Sequence, residues 1–253
     1  MNGVVCIIPA RLGSTRLHRK PLVDIGGLPL VVHTLRQARS SKAFERCIVA
    51  TDSDEIAVVV RRHGGEALLT SPCHPSGTDR VLEAATMVTA TYVVNLQGDE
   101  PDVPHTVLND FAAMVVSQAN ENCLITSVTD ATIDEVESPD CVKVVLNVRD
   151  EALYFSRAPI PCSRDGGTVR YWKHTGMYGF SIEGLKRFCS FGPGMLENIE
   201  KLEQLRALEN AMTITCLKQT CRTHAIDTPA DLARFQRHVE RTRKADSATA
   251  DTQ

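Results

Sequence analysis

The segment that follows the first apolar run of the chain concentrates side chains able to bind anions. Arg11, Arg16, Arg19 and Lys20 flank the turn-forming residues 13–15, Gly-Ser-Thr. Backbone N–H groups of such a turn, together with converging guanidinium and ammonium groups, suit a polyphosphate. A solvated basic loop is the alternative interpretation. The position directly after a strand favours phosphate binding, although the segment matches neither the P-loop nor the GxGxxG pattern.

Two carboxylates further along the chain are candidates for holding a divalent cation. Asp99 follows the apolar run 92–96, and Asp227 lies two residues before Pro229, which opens a helical pattern. Mg²⁺ usually takes one or two carboxylates together with substrate phosphates, so this pair could complete a metal–triphosphate site. Each residue also has a structural explanation, because Gly-Asp is a common turn and an acidic residue near a helix N-terminus compensates the helix dipole.

A third group of polar residues could recognise an acidic, hydroxylated substrate. Arg157, Lys173 and His174 could pair with a carboxylate, while Glu203 and Gln204 could bind hydroxyl groups. For Glu203 and Gln204, an exposed face of a charged helix is the alternative.

The pattern around these residues predicts an α/β fold. Short β-branched runs alternate with amphipathic stretches, which is typical of a largely parallel sheet covered by helices. Residues 4–8 are continuously apolar, as expected for a strand buried on both faces, and residues 198–209 predict one amphipathic helix. In such sheets ligands bind outside the carboxyl ends of the strands, where the loops carrying Lys20 and Asp99 begin.

Composition narrows the functional classes. The 253 residues include 28 Lys and Arg against 31 Asp and Glu, a formal charge of −3 that gives no general attraction to nucleic acid or to an anionic membrane. The nine cysteines contain no CxxC pair and are odd in number, which argues against a zinc ribbon and a secreted disulfide framework. Without a signal segment or a spanning apolar run, we expect a cytoplasmic protein with no membrane partner.

Eight segments in order resemble the 3-deoxy-manno-octulosonate (Kdo) cytidylyltransferase family. They are IIPARLGSTRL with KPL, VATDSDEI, SGTDR, VNLQGDEP, KVVLN with ALYFSRAPIP, HTGMYGF, LEQLR and DTPADL, and they extend over residues 4–237. The resemblance implies a three-layer α/β/α, nucleotide-diphospho-sugar transferase-like (Rossmann-like) single domain over residues 1–241. Its sheet would be mixed but mostly parallel, with a small β-rich dimerisation arm at about 155–180. The polar, small and charged residues 242–253 predict a disordered tail.

The activity implied by this resemblance is Mg²⁺-dependent transfer of CMP from CTP to the anomeric hydroxyl of Kdo by a homodimer. Pyrophosphate would leave, and the product CMP-Kdo would serve lipopolysaccharide synthesis. Two alternatives remain open, namely CMP transfer to another 2-keto acid sugar (amino-Kdo or a sialic acid) and a non-catalytic nucleotide-sugar-binding module.

The resemblance also implies roles for individual residues. The catalytic set would be Arg11, Lys20, Asp99 and Asp227, with Asp99 and Asp227 as the metal ligands. The nucleotide would contact Ala10, Arg11, Arg16, Lys20, Ser76, Gly77, Thr78 and Arg80. The sugar would contact Gln97, Arg157, His174, Tyr178, Glu203 and Gln204.

Two positions depart from the family pattern. The family loop usually reads Leu-Pro-Gly-Lys-Pro, whereas this chain has His18 and Arg19 in place of Pro and Gly, which adds a possible phosphate ligand at Arg19. Lys173 stands where the family often has Arg before the pocket histidine. A lysine lacks the bidentate geometry of Arg toward a carboxylate, so this substitution weakens the case for Lys173 as a sugar ligand.

Overall fold

A mixed β-sheet forms the centre of the protein, as seen in a computed structural model that describes residues 3–13, 17–167, 169–223 and 225–250. Within these residues the strands are β1 (Val4–Ala10), β2 (Asp24–Ile25), β3 (Leu28–Pro29), β4 (Arg46–Thr51), β5 (Glu66–Leu69), β6 (Tyr92–Leu96), β7 (Cys123–Asp130), β8 (Lys143–Leu146), β9 (Ala152–Ser156), β10 (Trp172–Ser181) and β11 (Thr213–Lys218). The main sheet has the order β11-β7-β10-β6-β1-β4-β5, β8 and β9 extend it beside β10, and β2 and β3 form a separate small ribbon.

Helices connect and cover these strands. They are α1 (Leu30–Ser40), α2 (Asp54–Arg62), α3 (Gly77–Thr86), α4 (His105–Gln118), α5 (Ile133–Glu137), α6 (Ile182–Ser190), α7 (Met195–Glu200), α8 (Leu205–Glu209) and α9 (Pro229–Ala250), with a short 3₁₀ helix at Lys20–Leu22. No helix in the described part of the chain is both long and apolar enough to cross a bilayer.

The direction of the strands brings the polar loops together. β1 pairs in parallel with β4 and β6, while β10 lies antiparallel between β6 and β7. Because β10 runs the opposite way, its first residues lie at the edge where β1, β6 and β7 end. The loops after β1 and β6 and the start of β10 therefore meet at one edge of the sheet.

Helices pack on both faces of the sheet, which confirms the predicted three-layer α/β/α class. Apolar side chains of α1, α2 and α4 form one core with one face, and those of α3, α6 and α8 form a second core with the other. All seven residues of β1 are buried, as the continuous apolar run predicted. Both cores share the same sheet, so the molecule is a single domain.

The region predicted as a β-rich arm at 155–180 is divided differently. Trp172–Ser181 is a full strand of the main sheet, and in residues 157–167 and 169–171 the structure shows neither a helix nor a strand. Pro159, Pro161, Gly166 and Gly167 explain the irregular backbone, since proline cannot donate to a strand ladder and glycine weakens strands.

Two predicted segments near the C-terminus also differ from the structure. The amphipathic stretch 198–209 forms two helices, α7 and α8, because Lys201 adopts a left-handed backbone conformation with φ of 55° and ends α7. Helix α9 continues through residues 242–250, where the composition had predicted disorder. Four of those nine residues are Ala or Lys at 244, 245, 248 and 250, which have high helix propensity and extend a helix already begun.

Candidate active site

Lys20 joins the two predicted metal ligands. Its Nζ lies 2.6 Å from Asp99 Oδ2 and 3.0 Å from Asp227 Oδ1, although the three residues come from the 3₁₀ helix after β1, the loop after β6 and the segment before α9. The backbone supports this meeting, because the Ile226 N–H donates to the Asp99 carbonyl at 2.9 Å. Two carboxylates distant in sequence thus converge on one cationic position.

The electrostatics of this triad keep Lys20 charged. Burial of the ammonium group opposes protonation, but the charges and hydrogen bonds of Asp99, followed by those of Asp227, raise the pKa of Lys20. A protonated lysine is the form that can neutralise a phosphate. Lys20 is therefore positioned to act on an anionic substrate beside the two carboxylates.

The triad lies where two cavities meet. The smaller cavity, of about 310 Å³, is lined by Ala10 and Arg11 at the end of β1, by Ser76 and Gly77 at the start of α3, and by Arg80. Ser76 caps α3 by accepting a hydrogen bond from the Asp79 N–H, so the helix presents its positive end to this cavity. Cationic side chains and a helix N-terminus together suit an anion such as a triphosphate.

The larger cavity, of about 610 Å³, contains the predicted sugar residues. Four residues line both cavities: Gly77, Gln97, Asp99 and Asp227. The larger cavity is lined in addition by the predicted Arg157, His174, Tyr178, Glu203 and Gln204. The two carboxylates therefore lie at the junction of the cavities, together with Gly77 and Gln97.

His174 and Tyr178 are held by polar neighbours at the base of the larger cavity. The Tyr178 hydroxyl donates to Gln204 Oε1 at 3.0 Å, and Gln204 Nε2 is buried without a protein partner among the described residues. Removal from water lowers the pKa of His174 to about 3, and it raises that of Tyr178 well above the usual value, with the charge of Glu203 adding to the effect. Both groups are therefore neutral hydrogen-bonding residues at physiological pH.

Thr78 and Glu203 are hydrogen-bonded to each other, but only Glu203 lines a cavity. The Thr78 hydroxyl donates a short hydrogen bond to the Glu203 carboxylate and accepts one from Asn95 Nδ2 at 3.1 Å. Thr78 is fully buried and lines neither cavity, so it supports Glu203 rather than facing a nucleotide. Burial raises the pKa of Glu203, against the opposing effect of the Thr78 hydrogen bond.

Three positively charged side chains considered in the sequence analysis form hydrogen bonds or ion pairs with other protein groups. Arg80 donates to Asp52 Oδ2 at 2.9 Å while lining the smaller cavity, and Arg157 donates to the carbonyls of Pro139 and Glu200, each at 2.9 Å. Lys173 pairs with Glu135 at 3.0 Å.

In the loop after β1, Arg19 points away from the smaller cavity. Its guanidinium pairs with Glu55 on α2, and it is absent from the lining of that cavity, so the structure does not support it as a phosphate ligand. Arg16, a predicted nucleotide contact, lies outside the described residues.

Glu100 is a polar residue of the site to which the sequence assigned no role. It is 4 % exposed, its Oε1 accepts from the Gly176 N–H at 3.2 Å, and its Oε2 has no partner in the described part of the chain. Burial, and then the charges of Asp99 and Asp102, raise its pKa to about 8. Its position directly after Asp99 was visible in the sequence, but only the antiparallel β10 places Gly176 against it.

The donor set at the junction fits Mg²⁺ bound together with a triphosphate. Asp99 and Asp227 offer hard carboxylate oxygens around a point that already holds a positive charge, the Lys20 ammonium. In the described ranges no group of three or more His, Cys, Asp or Glu residues could hold a metal alone. A Mg²⁺ ion held by Asp99 and Asp227 would take its remaining ligands from substrate phosphates and water.

Comparison with known proteins agrees with this geometry. A family model described as cytidylyltransferase matches residues 5–214. The chain is 40 % identical over 244 residues to the 3-deoxy-manno-octulosonate cytidylyltransferase of Chlorobium limicola, covering 95 % of this chain and 98 % of that protein. It is 44 % identical over 236 residues to the enzyme of the same name from Syntrophobacter fumaroxidans, covering 90 % and 94 %.

Comparison with solved structures also relates the chain to nucleotidyltransferases. A CMP:2-keto-3-deoxy-manno-octonic acid synthetase complexed with CTP superposes with a TM-score of 0.89 at 35 % identity, covering 94 % of this chain and 99 % of that one. A nucleotidyl transferase from Methanothermobacter thermautotrophicus shares the fold, with a TM-score of 0.64 at 15 % identity, covering 96 % of this chain and 100 % of that one. The chain is therefore a nucleotidyltransferase and belongs to the 3-deoxy-manno-octulosonate cytidylyltransferase family.

Proposed function

We propose that this protein transfers CMP from CTP to the anomeric hydroxyl of Kdo, releasing pyrophosphate and forming the activated sugar for lipopolysaccharide synthesis. The observation that carries the proposal is the Lys20–Asp99–Asp227 triad at the junction of the two cavities. The triphosphate occupies the smaller cavity, and the sugar occupies the larger one. The α-phosphate then lies at the junction, within reach of the sugar hydroxyl.

The smaller cavity reduces the electrostatic barrier to attack on the α-phosphate. An alcohol is a weak nucleophile, and the negative charge of the triphosphate repels it. Lys20 and the N-terminus of α3 neutralise that charge from fixed positions, so they stabilise the transition state without large reorganisation, and Arg11 adds positive charge to the same cavity. This mechanism requires no covalent enzyme intermediate.

Asp99 and Asp227 are the residues that would hold Mg²⁺. When bound, Mg²⁺ supplies charge neutralisation at the transferring phosphoryl group and a template for the two substrates. The ammonium of Lys20 pairs with both carboxylates and offsets part of their negative charge, and these two contacts hold it at the junction where the transferring phosphate is expected.

The larger cavity selects and orients the sugar acid. Neutral His174 and Tyr178, with the buried amide of Gln204, offer hydrogen bonds to hydroxyl groups, and Arg157 offers positive charge toward the carboxylate. Holding the hydroxyl beside the phosphate converts a bimolecular encounter into an oriented reaction within one site.

We further propose a cytoplasmic homodimer. The nine cysteines are all free, which agrees with a reducing compartment.

The dimer proposal rests on large exposed apolar residues, namely Leu153 on β9 and Met195 and Ile199 on α7. These two elements are joined by a hydrogen bond between the Ser156 and Glu200 side chains. A contact surface over β9 and α7 would bury these side chains. Light scattering on the wild-type chain and on Leu153→Asp measures whether this surface holds a dimer.

The decisive experiment is a pyrophosphate-release assay with purified protein, CTP, Kdo and Mg²⁺. Release that requires all three additions supports the proposal. Amino-Kdo and a sialic acid form the substrate panel, and a higher kcat/KM for either than for Kdo would assign the enzyme to that sugar instead. CTP binding without pyrophosphate release from any sugar would support the non-catalytic module and contradict the proposal.

A further inference from the structure

A bulge in β10 lies directly beside the larger cavity. The pairing of β10 with β7 runs to Thr175 opposite Ser127 and resumes at Tyr178 opposite Thr126, so Gly176 and Met177 have no partners on β7. A Cβ atom at position 176 would lie 3.2 Å from Gln97 Cγ, so a larger residue there would require the Gln97 side chain to shift. Bulges beside active sites commonly redirect neighbouring groups.

The bulge turns the Met177 carbonyl toward Thr126. The Thr126 side chain is fully buried, and its Oγ1 lies 2.8 Å from the Met177 oxygen and 2.9 Å from His174 Nε2. A carbonyl oxygen can only accept, so the single hydroxyl proton of Thr126 is donated to Met177. The proton between Thr126 and His174 must then come from the imidazole.

These two hydrogen bonds of Thr126 determine the tautomer of His174. The ring carries its proton on Nε2, which leaves Nδ1 with a lone pair. In the described part of the chain no residue hydrogen-bonds to Nδ1, and His174 lines the larger cavity. The rings of Phe155 and Tyr178 lie 5.2 Å and 5.5 Å from the imidazole, an environment in which the neutral form is favoured.

We propose that Thr126 is a positioning residue that presents His174 Nδ1 as a hydrogen-bond acceptor to a hydroxyl group of the sugar substrate. The inference deepens the proposed function and rests on it for the identity of the ligand. It means that His174 recognises a donor on the sugar and does not pair with the sugar carboxylate.

The tautomer can be measured without any substrate. Two-bond ¹H–¹⁵N correlation spectra of protein labelled at histidine identify the protonated nitrogen, and the His174→Gln variant assigns the signal. We expect the Nε2–H tautomer at neutral pH in the wild type and a loss of that preference in Thr126→Val. A protonated Nδ1, or a charged ring, in the wild type would overturn the inference.

Kinetics test the consequence for the sugar. Thr126→Val removes the hydroxyl at nearly constant volume, and we expect a rise of about tenfold in KM for Kdo with the KM for CTP unchanged, as loss of one hydrogen bond predicts. Thr126→Ser keeps the hydroxyl and should restore the wild-type KM. Thr215→Val is the matched control, because it removes a buried hydroxyl on β11 that lines neither cavity.

The outcomes separate this inference from the proposed function. If the wild type does not turn over Kdo, the proposed function fails, while the spectra still test the tautomer. If Kdo is turned over but Thr126→Val keeps the wild-type KM, or Thr126→Ser is impaired as strongly as Thr126→Val, Thr126 has no positioning role. If Thr126→Val raises the KM for CTP as strongly as the KM for Kdo, whereas Thr215→Val changes neither, the threonine is merely structural and the inference is wrong.

Discussion

Arg19 occupies a backbone conformation that suits glycine. Its φ of 52° and ψ of 35° lie in the left-handed region, immediately before the 3₁₀ helix that carries Lys20. For a residue with a Cβ this conformation costs roughly 1 kcal/mol or more. The strain explains why glycine suits this position of the loop, and the ion pair with Glu55 on α2 compensates only part of it.

Substitution of Arg19 should therefore show the backbone strain directly. Arg19→Ala and Arg19→Gly both remove the exposed ion pair with Glu55, but only glycine relieves the left-handed conformation. We expect Arg19→Gly to exceed Arg19→Ala in free energy of unfolding by about 1 kcal/mol, measured by urea denaturation. Equal stability of the two variants would show that the loop relaxes without strain.

The two carboxylates at the junction provide the most direct test of the site. Asp99→Asn and Asp227→Asn each keep the side-chain volume but replace a Mg²⁺ ligand by a poor one, so activity at limiting Mg²⁺ should fall about a hundredfold or more. Excess Mg²⁺ should recover part of the loss by mass action. Asp110→Asn, an exposed carboxylate on α4, should keep full activity. Near-normal rates for Asp227→Asn would show that Asp227 compensates the dipole of α9 and does not bind the metal.

At the scale of elements, the position of β10 depends on close packing against α4. Gly179 lies on β10, and a Cβ atom there would be 2.1 Å from Val115 Cγ2 and 3.2 Å from Phe111 Cε1 of α4. No rotation of a flexible side chain end relieves such contacts, because both partners belong to the buried core. The strand can therefore carry only glycine here if it is to hold His174 and Tyr178 in register.

The substitution Gly179→Ala should push α4 away from the sheet. Overpacking of a core by one methyl group costs about 1–3 kcal/mol, so we expect a lower melting temperature and a smaller free energy of unfolding. Gly192→Ala is the control, because the space around that position is open. A Gly179→Ala variant as stable as Gly192→Ala would contradict the tight contact between α4 and β10.

At the scale of the whole molecule, Glu135 ties three separate parts of the chain together. Its carboxylate pairs with Lys173 of β10 at 3.0 Å and with Arg222 after β11 at 3.4 Å, and it accepts the Thr132 N–H at 2.8 Å in the capping box of α5. Burial opposes the charge, but the hydrogen bonds from Thr132 and Lys173 and the charge of Lys173 lower the pKa of Glu135 to about 2.

The lowered pKa of Glu135 predicts how the free energy of unfolding depends on pH. A carboxylate whose pKa is lower in the folded than in the unfolded state stabilises the fold above the unfolded value near 4.5, and the stabilisation is lost as the pH falls toward 2. We expect Glu135→Gln to lower the free energy of unfolding by about 1 kcal/mol at pH 7, with a difference from wild type that shrinks at pH 3.

Urea denaturation at several pH values measures this difference. Glu121→Gln is the matched control, since its ion pair with Arg187 is exposed and should contribute little at any pH. A Glu135 effect that stays constant from pH 7 to pH 3 would contradict a role for its charge.

The features determined by the sequence itself are those that depend on local pattern. The buried strand β1 follows from seven consecutive apolar or small residues, and the basic loop after it follows from the residue types around Gly13. Helix α9 begins at Pro229, where the sequence predicted a helix to open, and the Thr228 Oγ1 accepts from the Asp231 N–H at 3.2 Å. The ordered motifs further identified the family, and the resemblance assigned roles to 14 of the 36 residues that line the two cavities.

Only the tertiary structure decided how these residues act on one another. Asp99 and Asp227 are far apart in the chain, and no local sequence pattern indicates that both contact Lys20. The antiparallel insertion of β10 places Gly176 against Glu100, and its bulge sets the proton on His174 through Thr126. These contacts depend on strand order and direction, which arise from packing over long sequence separation and leave no periodic trace in the residues themselves.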